Sequence, residues 1–154
     1  MTTRRHLLTT AIAALPLLAL GGRAALAAEP PVFTAGGAAI NGYDPVAYFT
    51  EGRPVRGAET IALDWNGTTW RFASAENRDS FAADPQRFAP QYGGYCAYAV
   101  ANGYTAKTDP DAFTVHDGKL YLNFNRRIRT RWERDIPGNV ARADGNWPGV
   151  LGAG

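Results

Sequence analysis

Residues 60–72 read Thr60-Ile61-Ala62-Leu63-Asp64-Trp65-Asn66-Gly67-Thr68-Thr69-Trp70-Arg71-Phe72. Apolar residues alternate with small or polar ones on both sides of Asn66-Gly67. A tight two-residue hairpin turn needs positive φ at both positions, which Gly adopts freely and Asn tolerates. The stretch predicts an antiparallel hairpin with Ile61, Leu63, Trp65, Trp70 and Phe72 on one face, because side chains alternate across a strand. A second hairpin follows the same logic. Phe113-Thr114-Val115-His116 and Lys119-Leu120-Tyr121-Leu122-Asn123-Phe124 flank Asp117-Gly118. Helical signals lie between and after the hairpins. The expected fold class is therefore α+β: a small antiparallel sheet built from two hairpins, covered by three or four short helices.

The helical signals are mostly caps. Asp44-Pro45 offers an acceptor followed by a residue whose missing N–H would lack a partner anyway, so a short helix should run through Tyr48 and Phe49 to Gly52. Ser74 should cap a helix anchored by Phe81, with Asn77 where a capping box prefers Glu or Gln. Asp84-Pro85 should break that helix and start another turn carrying Phe88, and Pro90 should end it. From Gly94, the run Tyr95 to Ala101 reads as helix, closed by Asn102-Gly103. Phe124, Ile128, Trp132 and Ile136 recur every four residues and predict one helical stripe. Arg129 with Glu133 and Arg131 with Asp135 are spaced to pair. Pro137-Gly138 is expected to stop this helix, leaving a last turn over 139–147 and a loose tail after Pro148.

The first 27 residues read as an export signal. Arg4-Arg5 precedes the apolar run Leu7 to Leu20, and Ala25-Leu26-Ala27 is a small-residue cleavage site. The pair resembles a twin-arginine signal, and a general secretory signal is the alternative. The apolar run is too short and interrupted for a membrane span, so no stable membrane insertion is expected after processing. Residues 28–38 read as a flexible arm and 39–148 as the domain. Without Arg4, Arg5 and Arg23, the 16 basic residues fall to 13 against 14 acidic ones. That near-neutral balance gives no general argument for nucleic acid as a partner. The expected location is the periplasm.

Processing also removes Met1 and His6, leaving His116 as the histidine of the mature chain and Cys96 as its cysteine. A single thiol in an exported chain cannot form an internal disulfide; it is buried, bound, reactive or paired between chains. Gly93-Gly94 ahead of a helix start would aim free N–H groups at Cys96 and favour its thiolate. The alanines and Val100 around it suit a small buried hydrophobe instead. His116 lies beside a hairpin turn, either as an exposed turn residue or as a ligand. Tyr92, Tyr95 and Tyr98 step by three and would share one side of a helix, as core residues with hydroxyls reaching partners or as cofactor contacts. A closed zinc site wants four ligands, and Cys96 with His116 supplies two. Completion would need Asp or Tyr donors, a haem-type cofactor with one protein ligand, or a second chain. The arginines of the Arg126–Arg134 helix form a solvated face or a docking surface for a protein partner.

Several separated motifs together resemble the YHS-domain family, in particular its small exported branch. They are Gly42-Tyr43-Asp44-Pro45-Val46-Ala47-Tyr48-Phe49, Trp70-Arg71-Phe72-Ala73-Ser74, Phe81 with Asp84-Pro85, Tyr92-Gly93-Gly94-Tyr95-Cys96-Ala97, and Asp117 to Asn123. Some members of that branch carry selenocysteine at the position matching Cys96, which implies a redox or soft-metal role there. Other YHS domains are thought to bind metal through cysteines flanking a Phe-x-Ser segment. Here those positions match Ala73 and Asn77, so the resemblance implies the fold and not that site. The expected function is an exported YHS-type module binding a metal ion or metal-containing cofactor, with metal ligands Cys96 and His116 and cofactor contacts Tyr92, Tyr95 and His116. The alternatives are a single-cysteine thiol redox enzyme and a non-catalytic interaction module.

Overall fold

The computed structural model describes residues 28–152, and the fold is a small α+β domain. The predicted first hairpin is β3 (Ala58–Trp65) with β4 (Thr68–Phe72), in antiparallel register through Leu63 with Trp70 and Trp65 with Thr68. Asn66 and Gly67 both take positive φ, at 50° and 80°, as the turn requires. Trp70 and Phe72 are fully buried, and Ile61, Leu63 and Trp65 pack against the same cluster, so the expected face is the core face. The second hairpin is β5 (Phe113–His116) with β6 (Lys119–Leu122), turning at Asp117 and Gly118.

The hairpins do not join into one sheet. Each makes its own two-stranded ladder, and a third ladder pairs β1 (Thr34–Ala35) with β2 (Ala38–Ala39). β6 packs against the Gln91–Gly94 turn, and β4 lies beside β2. Backbone pairing therefore stays local, and aromatic side chains fill the space between ladders. Phe81 shows this, with ring centroids 5.1 Å from Trp70, 5.3 Å from Phe72 and 5.6 Å from Trp65.

The helices are α1 (Ala47–Thr50), α2 (Ala75–Ala83), α3 (Pro85–Phe88), α4 (Ala97–Ala101), α5 (Arg126–Glu133) and α6 (Ile136–Asn146). Ser74 caps α2 through the Asn77 N–H, and Pro85 opens α3 as expected. Three details differ from the sequence reading. Helix α4 starts at Ala97, because Tyr92, Gly93 and Gly94 take φ of 58°, 61° and 83° and Tyr95 is extended. Tyr92, Tyr95 and Tyr98 thus do not share a helix face. Pro137 does not stop a helix but starts one: the Asp135 carboxylate accepts from the Gly138 N–H at 3.0 Å, and α6 runs on to Asn146. The stripe from Phe124 to Ile136 is accordingly divided, with Asn125 capping α5 and Phe124 exposed outside it.

Residues 28–38, expected to be a flexible arm, pack onto the domain. Val32 is buried, the Phe33 N–H donates to Gly93 O at 2.9 Å, and the Tyr95 hydroxyl donates to Pro30 O at 2.8 Å. A side chain at Gly93 would run into the Pro31 carbonyl, which is why the chain can cross so closely there. The far end meets the same segment, where the Glu29 N–H donates to Leu151 O at 2.7 Å. The export segment, residues 1–27, lies outside the described residues. No helix among the described residues is long and apolar enough to cross a membrane.

Candidate functional site

Cys96 sits at the start of α4 and is 1% exposed. Its Sγ lies 3.6 Å from Asn123 Oδ1, which also accepts from the Tyr98 N–H at 3.0 Å. Burial pushes the thiol pKa up. The N–H groups of Ala99, Phe124 and Tyr98 pull it the other way, and burial wins. None of those groups makes a capping hydrogen bond to the sulfur. The expected thiolate preference is therefore reversed: Cys96 is held as a neutral, buried thiol.

The expected partner His116 is elsewhere. It ends β5 opposite Lys119 beside the hairpin turn, where Nε2 lies 3.3 Å from Asp117 Oδ2. Asn123 follows the other end of that hairpin, where Leu122 pairs with Phe113. Three strand residues separate those levels, about 10 Å at the usual rise, so His116 does not face Cys96. Among the described residues, no three His, Cys, Asp or Glu side chains come together. The atoms around the sulfur are backbone N–H groups and one amide, which do not fit a metal centre.

Ala73 and Asn77 serve a structural purpose. Asp44 is fully buried, and its carboxylate accepts from the N–H groups of Val46, Ala47 and Ala73 and from Asn77 Nδ2, at 2.8, 3.3, 2.8 and 2.7 Å. Ala73 and Asn77 thus satisfy a buried carboxylate that ties α1 to the end of β4. Sequence reading gave Asp44 the cap and missed its link to Asn77.

Tyr92 leads to the concave site. Its ring is buried, and its hydroxyl donates to Asp144 Oδ1 of α6 at 2.9 Å. Burial, then this hydrogen bond, raise its pKa well above the ordinary tyrosine value and keep the phenol protonated. Beside this pair opens a cleft of about 490 Å³. It is lined by Trp65 and Asn66 from the first hairpin, by Gln86 and Gln91, by Asp144 of α6 with Trp147 and Pro148 beyond that helix, and by Pro31 and Val32. Trp147 packs edge-on to Tyr92, at 6.1 Å between centroids and 63° between planes. Tyr95, the other tyrosine candidate, does not line this cleft; its hydroxyl donates to the Pro30 carbonyl and its ring centroid lies 6.2 Å from that of Trp147.

No family model, curated protein or solved structure matches the chain. The site is thus read from its own geometry. Of the expected residues, Tyr92 alone lines the cleft; Cys96, Tyr95 and His116 are dispersed. Asp144 and Trp147 were missed because residues 139–147 read as a detached final turn. The signal that locates them is Asp135 three residues before Gly138, a cap that extends α6 and carries Asp144 back to Tyr92.

Proposed function

We propose that the chain is an exported, YHS-like ligand-binding module whose site is the cleft beside Tyr92 rather than the thiol of Cys96. The observation that supports this reading is the cleft itself. A concave surface of this size, walled by aromatic rings and a few polar groups, is the usual form of a small-molecule site. Tyr92, Trp147 and Asp144 are fixed to one another by a hydrogen bond and a ring contact, so the wall is formed before a ligand arrives. A protein partner would meet α5 and its C-terminal end instead, where Arg127, Arg131 and Arg134 are exposed.

The test is a screen of small organic fragments against the nitrogen-labelled domain by NMR. Shifts should concentrate at the indole N–H of Trp65 and Trp147 and the amide of Gly93. Shifts scattered over the surface, or none at millimolar fragment, would overturn the reading.

A second reading, thiol redox chemistry at Cys96, is favoured by one observation. Asn123 Nδ2 is buried without a hydrogen-bond partner on the amide that touches Sγ, and a redox or catalytic role is one recognised explanation for such a group. A sulfur this enclosed would admit only a small oxidant. A hydroperoxide would transfer its terminal oxygen to sulfur as the O–O bond breaks, giving sulfenic acid, and the thiol proton would leave with the alcohol product. Gain of one oxygen atom on the folded domain, absent in Cys96→Ser, supports that reading; oxidation only after denaturation removes it.

Export is proposed through the twin-arginine route. Replacing Arg4 and Arg5 together by Lys should hold precursor in the cytoplasm, since the receptor reads guanidinium groups rather than charge alone. Undiminished export of the double variant, followed by cell fractionation, would assign the general secretory route.

A further inference from the structure

We propose that the cleft beside Tyr92 is a site for an alkylammonium ligand, an organic cation with a small apolar body. The inference rests on the cleft being the binding site and goes on to its chemistry. Among the described residues, Asp144 carries the only charge on the lining, and no Lys, Arg or His contributes to it. Tyr92 engages one carboxylate oxygen. Among the described residues Asp144 forms no ion pair, and the nearest arginine in sequence, Arg142, is turned to Asn139 Oδ1 at 2.7 Å. One negative charge is thus left facing an aromatic cleft.

Half-buried Trp65 and Trp147 supply ring surface, together with the ring of Tyr92. Ring faces attract cations through their quadrupole, most strongly for indole, and the attraction grows as the cation is desolvated. The remaining polar groups, Asn66, Gln86 and Gln91, are neutral amides that accept or donate without opposing a cation. The lining disfavours an anionic ligand, since no cation compensates its charge while Asp144 repels it. A neutral sugar would use the same rings and amides but would gain nothing from the free carboxylate oxygen.

The probes are choline and its uncharged carbon analogue 3,3-dimethylbutan-1-ol, with glucose as a neutral sugar. Binding is followed by tryptophan fluorescence and by NMR shifts on the folded domain. Choline should bind saturably at the cleft, roughly tenfold or more tighter than the neutral analogue, and weaken as salt is raised. Asp144→Asn keeps an acceptor for the Tyr92 hydroxyl and should weaken choline by a similar factor, and the neutral analogue by much less. The variant's melting curve, matched to the parent, shows that the wall is intact. Equal binding of choline and its neutral analogue, tighter binding of glucose, or choline binding unaffected by Asp144→Asn would overturn the cation proposal and leave the cleft reading standing. Failure of all fragments at the cleft would remove both.

Discussion

Asp44 is the residue whose removal should cost most for its size. Its carboxylate is the acceptor for four N–H donors, and a buried donor without a partner costs about 1–3 kcal/mol. Asp44→Ala should therefore destabilise the domain by about 3 kcal/mol or more in urea unfolding, and a loss under about 1 kcal/mol would mean that water replaces the carboxylate. Alkali tests other single groups. Burial raises the pKa of Cys96 above its ordinary 9.0 and that of Tyr95 from 10.0 to about 12, the latter also through the Glu29 charge; Tyr48 and Tyr92 shift the same way. The native state then holds protons that the unfolded chain releases first. The associated stability is full below pH 9, begins to fall as unfolded Cys96 ionises, and falls further between pH 10 and about 12. Urea midpoints measured from neutrality upward should follow that course, and a rise above pH 10 would contradict the burial of these groups.

Elements carry their own test in the two glycine turns. Gly67 has positive φ and open space around it, whereas Gly94 has positive φ and faces Ile40 and Pro90. Gly67→Ala should cost about 1–2 kcal/mol from the left-handed backbone alone. Gly94→Ala should cost about 1–3 kcal/mol more, because the added methyl has no room. Similar losses in chemical unfolding would show that the Gln91–Gly94 turn yields easily. Both hairpins, the cap at Ser74 and the break and restart at Asp84-Pro85 were legible because each rests on residues adjacent in sequence. The start of α4 was not. Tyr92 takes positive φ against its own preference next to Gly93, where residues 31–33 cross, and no local pattern announces that crossing. Helix α6 was lost for a different reason: Pro137-Gly138 can end one helix or begin the next, and the side chain of Asp135 decides. The site shared this fate. Cys96 is conspicuous as a residue type, but its burial depends on β6 and α4 meeting, and the cleft depends on α6 returning to Tyr92.

At the scale of the molecule, residues 28–33 act as a packed edge of the domain. Val32 is enclosed in the main core cluster, so Val32→Ala should cost on the order of 1–3 kcal/mol by lost burial and cavity. A change within error, measured by thermal unfolding, would return this segment to the status of an arm. The hydrogen bond from the Glu29 N–H to Leu151 O has a further consequence. In topological terms the domain is close to a ring whose seam joins its opening and closing segments. Pro31 and Val32 on one side of that seam and Pro148 and Leu151 on the other all border the cleft. A molecule seated there would therefore staple the seam, and hydrogen exchange at Phe33 and Leu151 should slow together as the cleft fills.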